Sequence, residues 1–74
     1  MKLILKLNSL DDVKKFIEIT SRYGEDMTLV NDRYSVDAKS ILGIFAMDLS
    51  QPVELVCDKD DAELKRELAP FVAA

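Results

Sequence analysis

A chain of 74 residues with a 49% apolar share makes one domain around one two-layer core, which excludes a large cleft between domains and a dinucleotide fold with both faces of a parallel sheet covered. Only two glycines and two prolines are present, which excludes low-complexity and disordered classes. Ten basic against fourteen acidic residues leave a net charge of −4, and the only adjacent cations, Lys14-Lys15 and Lys65-Arg66, sit among carboxylates, so the basic face that nucleic-acid binding requires is missing.

The single cysteine, Cys57, leaves no internal disulfide to form, and no window approaches the ~18 apolar residues of a membrane span. The opening Met-Lys-Leu-Ile-Leu is broken by Lys6 and Asn8, too soon for a signal peptide. A soluble cytoplasmic protein, a monomer or weak dimer, is the expectation.

Lys2 to Asn8 alternates, with Leu3, Leu5 and Leu7 on one face, and predicts a strand covered on one side. The period then changes. Leu10, Val13, Phe16, Ile17 and Thr20 follow the spacing of an amphipathic helix. Ser9 is its N-cap, Asp11 and Asp12 lie in the first turn, Arg22 falls in the last turn, and Gly24 is expected to take a left-handed conformation beyond it. Asp26 to Val30 is a short strand. Asn31-Asp32 offers the positive φ angles of a tight hairpin, and Arg33 to Asp37 returns antiparallel with Tyr34 and Val36 on one face. The apolar run from Ser40 to Met47 is ambiguous between buried strand and short helix. Ser40 as a cap and the spacing of Ile41, Ile44 and Phe45 favour a two-turn helix.

Ser50-Gln51-Pro52 is a turn, and Val53, Leu55 and Cys57 then alternate as the inward face of a fourth strand. Asp60 is the expected N-cap of a last helix, with Glu63 in the capping-box position. Leu64, Leu68, Phe71 and Val72 form its apolar stripe, and Pro70 ends the regular helix near Leu68. The order is β-α-β-β-α-β-α, an α+β open-faced sandwich over residues 1–74.

Chemistry is constrained first by the absence of histidine, which removes imidazole acid–base catalysis, histidine metal ligation and phosphohistidine relays. Cys57, mid-strand and inward, reads as a small buried hydrophobe rather than a reactive thiol. The pairs Asp11-Asp12, Glu25-Asp26 and Asp60-Asp61 diverge in direction and do not converge on a metal. Asp58 to Asp61 imitates the start of a calcium loop, but Glu63 and Ala69 stand where glycine and glutamate are required. Gly24 and Gly43 alone cannot build a phosphate loop. No metal, no cofactor and no enzymatic activity are expected.

The run Lys39-Ser40-Ile41-Leu42-Gly43-Ile44-Phe45 resembles a signature of HPr, the histidine-containing phosphocarrier family of the bacterial sugar phosphotransferase system. Ser21-Arg22-Tyr23, followed by strand, turn and strand, has the family's spacing into that motif, so the resemblance extends over nearly the whole chain. It implies a single HPr-like domain, a four-stranded antiparallel sheet in order 1-4-2-3, and three helices on one face. It also implies Ser40 as a regulatory phosphorylation site and Lys39, Ile41, Leu42 and Phe45 as a docking surface for proteins. The partners implied are a serine kinase, a transcription regulator or a phosphotransferase component. The departure from the family lies at the first helix, where a phosphoryl-accepting histidine is followed by arginine and proline. Here Ser9 stands at the histidine position and Asp11 and Asp12 replace the arginine and proline. Serine without a base is a poor nucleophile, and the two carboxylates repel a phosphoryl donor. The expectation is a regulatory module of carbon catabolite control, similar to the family's catabolite-repression paralogue, without phosphocarrier activity. Ser40 reads equally as a helix cap alone in a constitutive interaction domain and as a cap that is also a switch.

Overall fold

The structure is a computed structural model that describes residues 1–32 and 34–73. Its elements are β1 (Lys2–Leu5), α1 (Leu10–Thr20), β2 (Met27–Val30), β3 (Ser35–Asp37), α2 (Ile41–Phe45), β4 (Val53–Cys57), α3 (Ala62–Glu67) and a closing 3-10 turn, Ala69–Phe71. The four strands form one antiparallel sheet in order β1-β4-β2-β3, the order the family resemblance implies. With its three helices the chain is an α+β open-faced sandwich.

Register follows from the alternation of apolar residues, because slipping a strand by one residue would turn its apolar set out to water. Leu3 pairs with Leu55, and Leu55 with Leu29, so one row of leucines crosses three strands on the covered face. Leu5, Leu29, Val53, Leu55 and Cys57 are all buried there. Val13 and Phe16 of α1, Ile44 of α2, and Leu64, Leu68 and Phe71 of the last segment close over them. Thr20, the one buried polar residue among those described, donates its hydroxyl to the carbonyls of Ile17 and Ala38, so its burial leaves no donor unmet.

Several local expectations are corrected. Leu10, expected in the core stripe of α1, is 53% exposed. At the first helical position it faces the side where α2 lies, not the sheet. Gly24 does not adopt a positive φ. The chain leaves α1 through successive tight turns instead, with Arg22 N donating to Ile19 O and Tyr23 N to Thr20 O, so no left-handed residue is needed. Arg22 lies past the cap residue Ser21, and the last turn of α1 holds no cation.

Asn31 and Asp32 also lack the positive φ of a two-residue hairpin. The closing pair is Asn31 with Tyr34, one residue further along than expected, joined by Asn31 N to Tyr34 O (3.0 Å) and by Tyr34 N to Asn31 Oδ1 (2.8 Å). The expected strand start at Arg33 lies outside the described residues, and β3 begins at Ser35. α2 spans five residues and falls short of two full turns. The cap of α3 is Asp61, whose Oδ1 accepts from Leu64 N at 3.0 Å. Asp60 lies one residue too early to cap and pairs loosely with Lys65 at 3.7 Å. Pro70 acts as expected: α3 stops at Glu67 and the chain tightens into the 3-10 turn. Val72 leaves the apolar stripe, is 37% exposed, and bridges to β1.

Candidate functional site

The two helix starts singled out in the sequence, at Ser9 and Ser40, are both built by local hydrogen bonding. Ser9 holds an extended backbone (φ −148°, ψ 167°) and its Oγ accepts from Asp12 N at 3.2 Å. Asp12 reaches back, and its Oδ2 accepts from Asn8 N at 2.9 Å. The carboxylate thus lies over the positive end of α1, where the dipole favours it. Asp11, on the next side chain, is exposed. The lysine nearest in the groove beside Ser9 is Lys6, and its Nζ is turned to the carbonyls of Leu49 (3.0 Å) and Ser50 (2.5 Å). Chemically this corner is a satisfied helix cap carrying negative charge.

Ser40 caps α2 from an extended backbone (φ −101°, ψ 108°), with Oγ accepting from Gly43 N at 3.2 Å. The serine is half-buried. Gly43 lies at a close approach: a Cβ there would stand 3.2 Å from Val36 Cβ and 3.3 Å from Ser40 Oγ. Beyond the cap, α2 divides sharply. Ile44 is fully buried, whereas Leu42 is 80% exposed and Ile41 and Phe45 are also open. Phe45 and Leu10 line the same shallow groove with Lys6, Leu7, Asn8 and Ser9. The exposed apolar face therefore includes Leu10 of α1, a member that the helical period hid by assigning it to the core. Leu10 at 53%, Ile41 at 38%, Leu42 at 80% and Phe45 at 47% are the exposed large apolar residues of the two helices.

Lys39 is half-buried before the Ser40 cap. Its Nζ donates to Tyr23 O at 2.6 Å and its amide to Asp37 Oδ1 at 2.9 Å, so the side chain is turned inward and holds the loop before Ser40 against the end of α1. The same corner is stitched to α3. The Tyr23 hydroxyl donates to Glu67, and Arg22 Nη2 meets Glu67 Oε1 at 2.5 Å. The bond to Glu67, then burial, then the Glu67 charge push the Tyr23 pKa up to about 12. In the loop before β4, the Ser50 hydroxyl and amide both donate to Asp48, which holds that carboxyl below the usual carboxylate range.

Cys57 is buried mid-strand. Among the described residues no acidic or cysteine cluster is placed to hold a metal ion, and no helix is long and apolar enough to cross a membrane.

Serine-capped α2 on a sheet of order β1-β4-β2-β3 defines the fold of the HPr phosphocarrier proteins. Comparison with solved structures shows the same. An HPr-C-His protein from Thermoanaerobacter tengcongensis matches with a TM-score of 0.76 at 23% identity, over 97% of this chain and 88% of that one. A phosphocarrier protein HPr from Bacillus anthracis matches at 0.71 and 23%, over 99% of this chain and 94% of that one. The Bacillus subtilis catabolite repression containing protein Crh, a domain-swapped intertwined dimer, matches at 0.61 and 24%, over 97% and 90%. No family model and no curated protein matches the sequence.

Proposed function

We propose that this chain is an HPr-like regulatory and binding protein of the sugar phosphotransferase and catabolite-control type, without phosphocarrier activity, and regulated by phosphorylation at Ser40. The observation that carries the reading is the α2 face. Leu42 is 80% exposed, Ile41 and Phe45 stand beside it, and all three follow a serine cap on the fold of HPr and Crh. Proteins are the partners this face suits, because an apolar patch rimmed by polar groups is how protein contacts are built. Loss of the relay rests on the zero histidine count and on the Ser9–Asp12 cap that occupies the corner where the family histidine stands. A phosphate on Ser40 would meet the amides at the start of α2 and add about −1.5 to −2 charges next to the apolar face. It would alter docking more than folding.

The test is incubation with a serine kinase of the HPr type and ATP, followed by mass spectrometry. One phosphate on Ser40, and none on Ser40→Ala, is the expected result. An unmodified protein would support the second reading, a constitutive interaction domain. That reading is favoured by one observation: the Ser40 Oγ is already engaged as acceptor of the Gly43 amide.

A further inference from the structure

A groove of about 400 Å³ runs between α1 and the closing 3-10 turn. Lys15 and Ile19 lie four residues apart on α1 and share the face that lines it, and Arg22 follows in the turn beyond the helix. Pro70 and Phe71 of the 3-10 turn form the opposite wall. Ile19 is half-buried and Phe71 is 8% exposed, so the floor is apolar, while Lys15 and Pro70 stand open to water at the rim. Such a volume lies within the ~300–1,000 Å³ of small-molecule sites.

The polar groups around this floor are unequally committed. Both oxygens of Glu67 are taken, one by Arg22 and one by the Tyr23 hydroxyl. Asp12 Oδ2 accepts from the Asn8 amide, and the Lys6 ammonium is turned to the carbonyls of Leu49 and Ser50. Lys15, by contrast, has no hydrogen bond or ion pair among the described residues. Arg22 gives only Nη2 to Glu67 and keeps its other donors. The acceptors left are the exposed Glu18 and the second oxygen of Asp12. The donors left outnumber them, and all belong to cations. A bare anion would leave the apolar floor wet, and an amine would face Lys15 and Arg22 with like charge. A molecule that joins an apolar body to a carboxylate matches both features.

We propose that this groove binds a small amphipathic carboxylate, with its apolar body on Ile19, Pro70 and Phe71 and its carboxylate on Lys15. Neither Ser40 nor the α2 face takes part, so the site stands apart from the proposed switch. Its occupant would lie beside Glu67, whose two bonds tie α3 to the residues after α1.

The probe is 4-phenylbutyrate, titrated into isotope-labelled protein and followed by amide NMR. The shifts should saturate with a Kd of about 1 mM, the strength a ligand of this size reaches at ordinary efficiency. They should centre on Lys15, Ile19, Arg22 and Phe71 and leave Leu42 and Gly43 unmoved. Acetate, which lacks the apolar body, should leave the groove resonances in place at the same concentrations. 4-Phenylbutylamine, the same body with the opposite charge, should bind at least fivefold more weakly than the carboxylate. Lys15→Gln, at an exposed position where the fold should hold, should weaken the carboxylate about fivefold, the worth of one exposed ion pair. The acetate and amine arms use the parent protein and stand whatever the variant does. No saturable shift at ten times the expected Kd overturns the proposal. So do shifts centred on α2, equal binding of amine and carboxylate, or unweakened binding by a folded Lys15→Gln.

Discussion

Ser9 and Asp12 close the start of α1 on themselves: the serine Oγ accepts the Asp12 amide at 3.2 Å, and the Asp12 carboxylate accepts the Asn8 amide at 2.9 Å. Two backbone donors at this helix start are thereby satisfied from within the chain, and one of the acceptors, the Asp12 carboxylate, places negative charge there. The proposed loss of phosphoryl transfer rests on this closed cap together with the absence of histidine.

Ser9→Ala should therefore lower stability by about 1 kcal/mol, and Ser9→Gly by only a few tenths. Urea unfolding monitored by circular dichroism measures both. Equal stability of all three proteins would show that the cap contributes nothing.

Neighbouring positions on α2 should behave oppositely. Ile44→Ala removes a fully buried side chain and should cost roughly 2–5 kcal/mol, a large part of the ~4–11 kcal/mol a domain of this length has. Leu42→Ala, at 80% exposed, should stay within about 0.5 kcal/mol of the parent. Thermal melts of the two variants separate the buried side of α2 from its exposed side.

Gly43→Ala tests the close approach of α2 to β3. Alanine would favour the helix by up to about 1 kcal/mol, but its Cβ would press on Val36 Cβ at 3.2 Å, and that atom is fixed to a strand backbone. The contact should win, with a net loss of about 1 kcal/mol and a shifted Val36 methyl resonance. A stabilised variant would mean that α2 has room to move.

The Tyr23–Glu67 contact gives a pH signature. The folded pKa of about 12 lies above the ordinary tyrosine value of 10.0, so the neutral phenol is the form the fold prefers. Its contribution is complete below pH 10 and is lost as pH rises from about 10 through 12. Stability should fall across that window, and Tyr23→Phe should flatten the fall. Absorbance titration of the phenols should lose its most alkaline step in the same variant.

Local signals made most of the fold legible in the sequence. The alternation of Leu3, Leu5 and Leu7 set the face of β1, and the period of Val13, Phe16 and Thr20 set the face of α1. Both serine caps were visible because a cap is a contact three residues long. What escaped depends on partners far along the chain. Gly24 looked like a helix stop, but α1 ends earlier in tight turns, and Arg22 and Tyr23 just beyond it bond to Glu67, more than forty residues away. The bond from the Lys39 ammonium to the Tyr23 carbonyl forms only in the folded chain. Leu10 fitted the helical period, yet at the first position of α1 it is 53% exposed and lines a groove with Phe45. The pairing of Val72 with Leu5 joins the two ends of the sequence and has no local signature.

Phosphoryl transfer tests the account most directly. The purified protein is incubated with labelled phosphoenolpyruvate and the donor enzyme that phosphorylates HPr, beside an HPr that carries its histidine. The account predicts label on that HPr and none on this chain. Label on this chain above the level of a Ser9→Ala control would contradict it, because it would show that a chain without histidine still carries phosphoryl groups from the corner closed by Ser9 and Asp12.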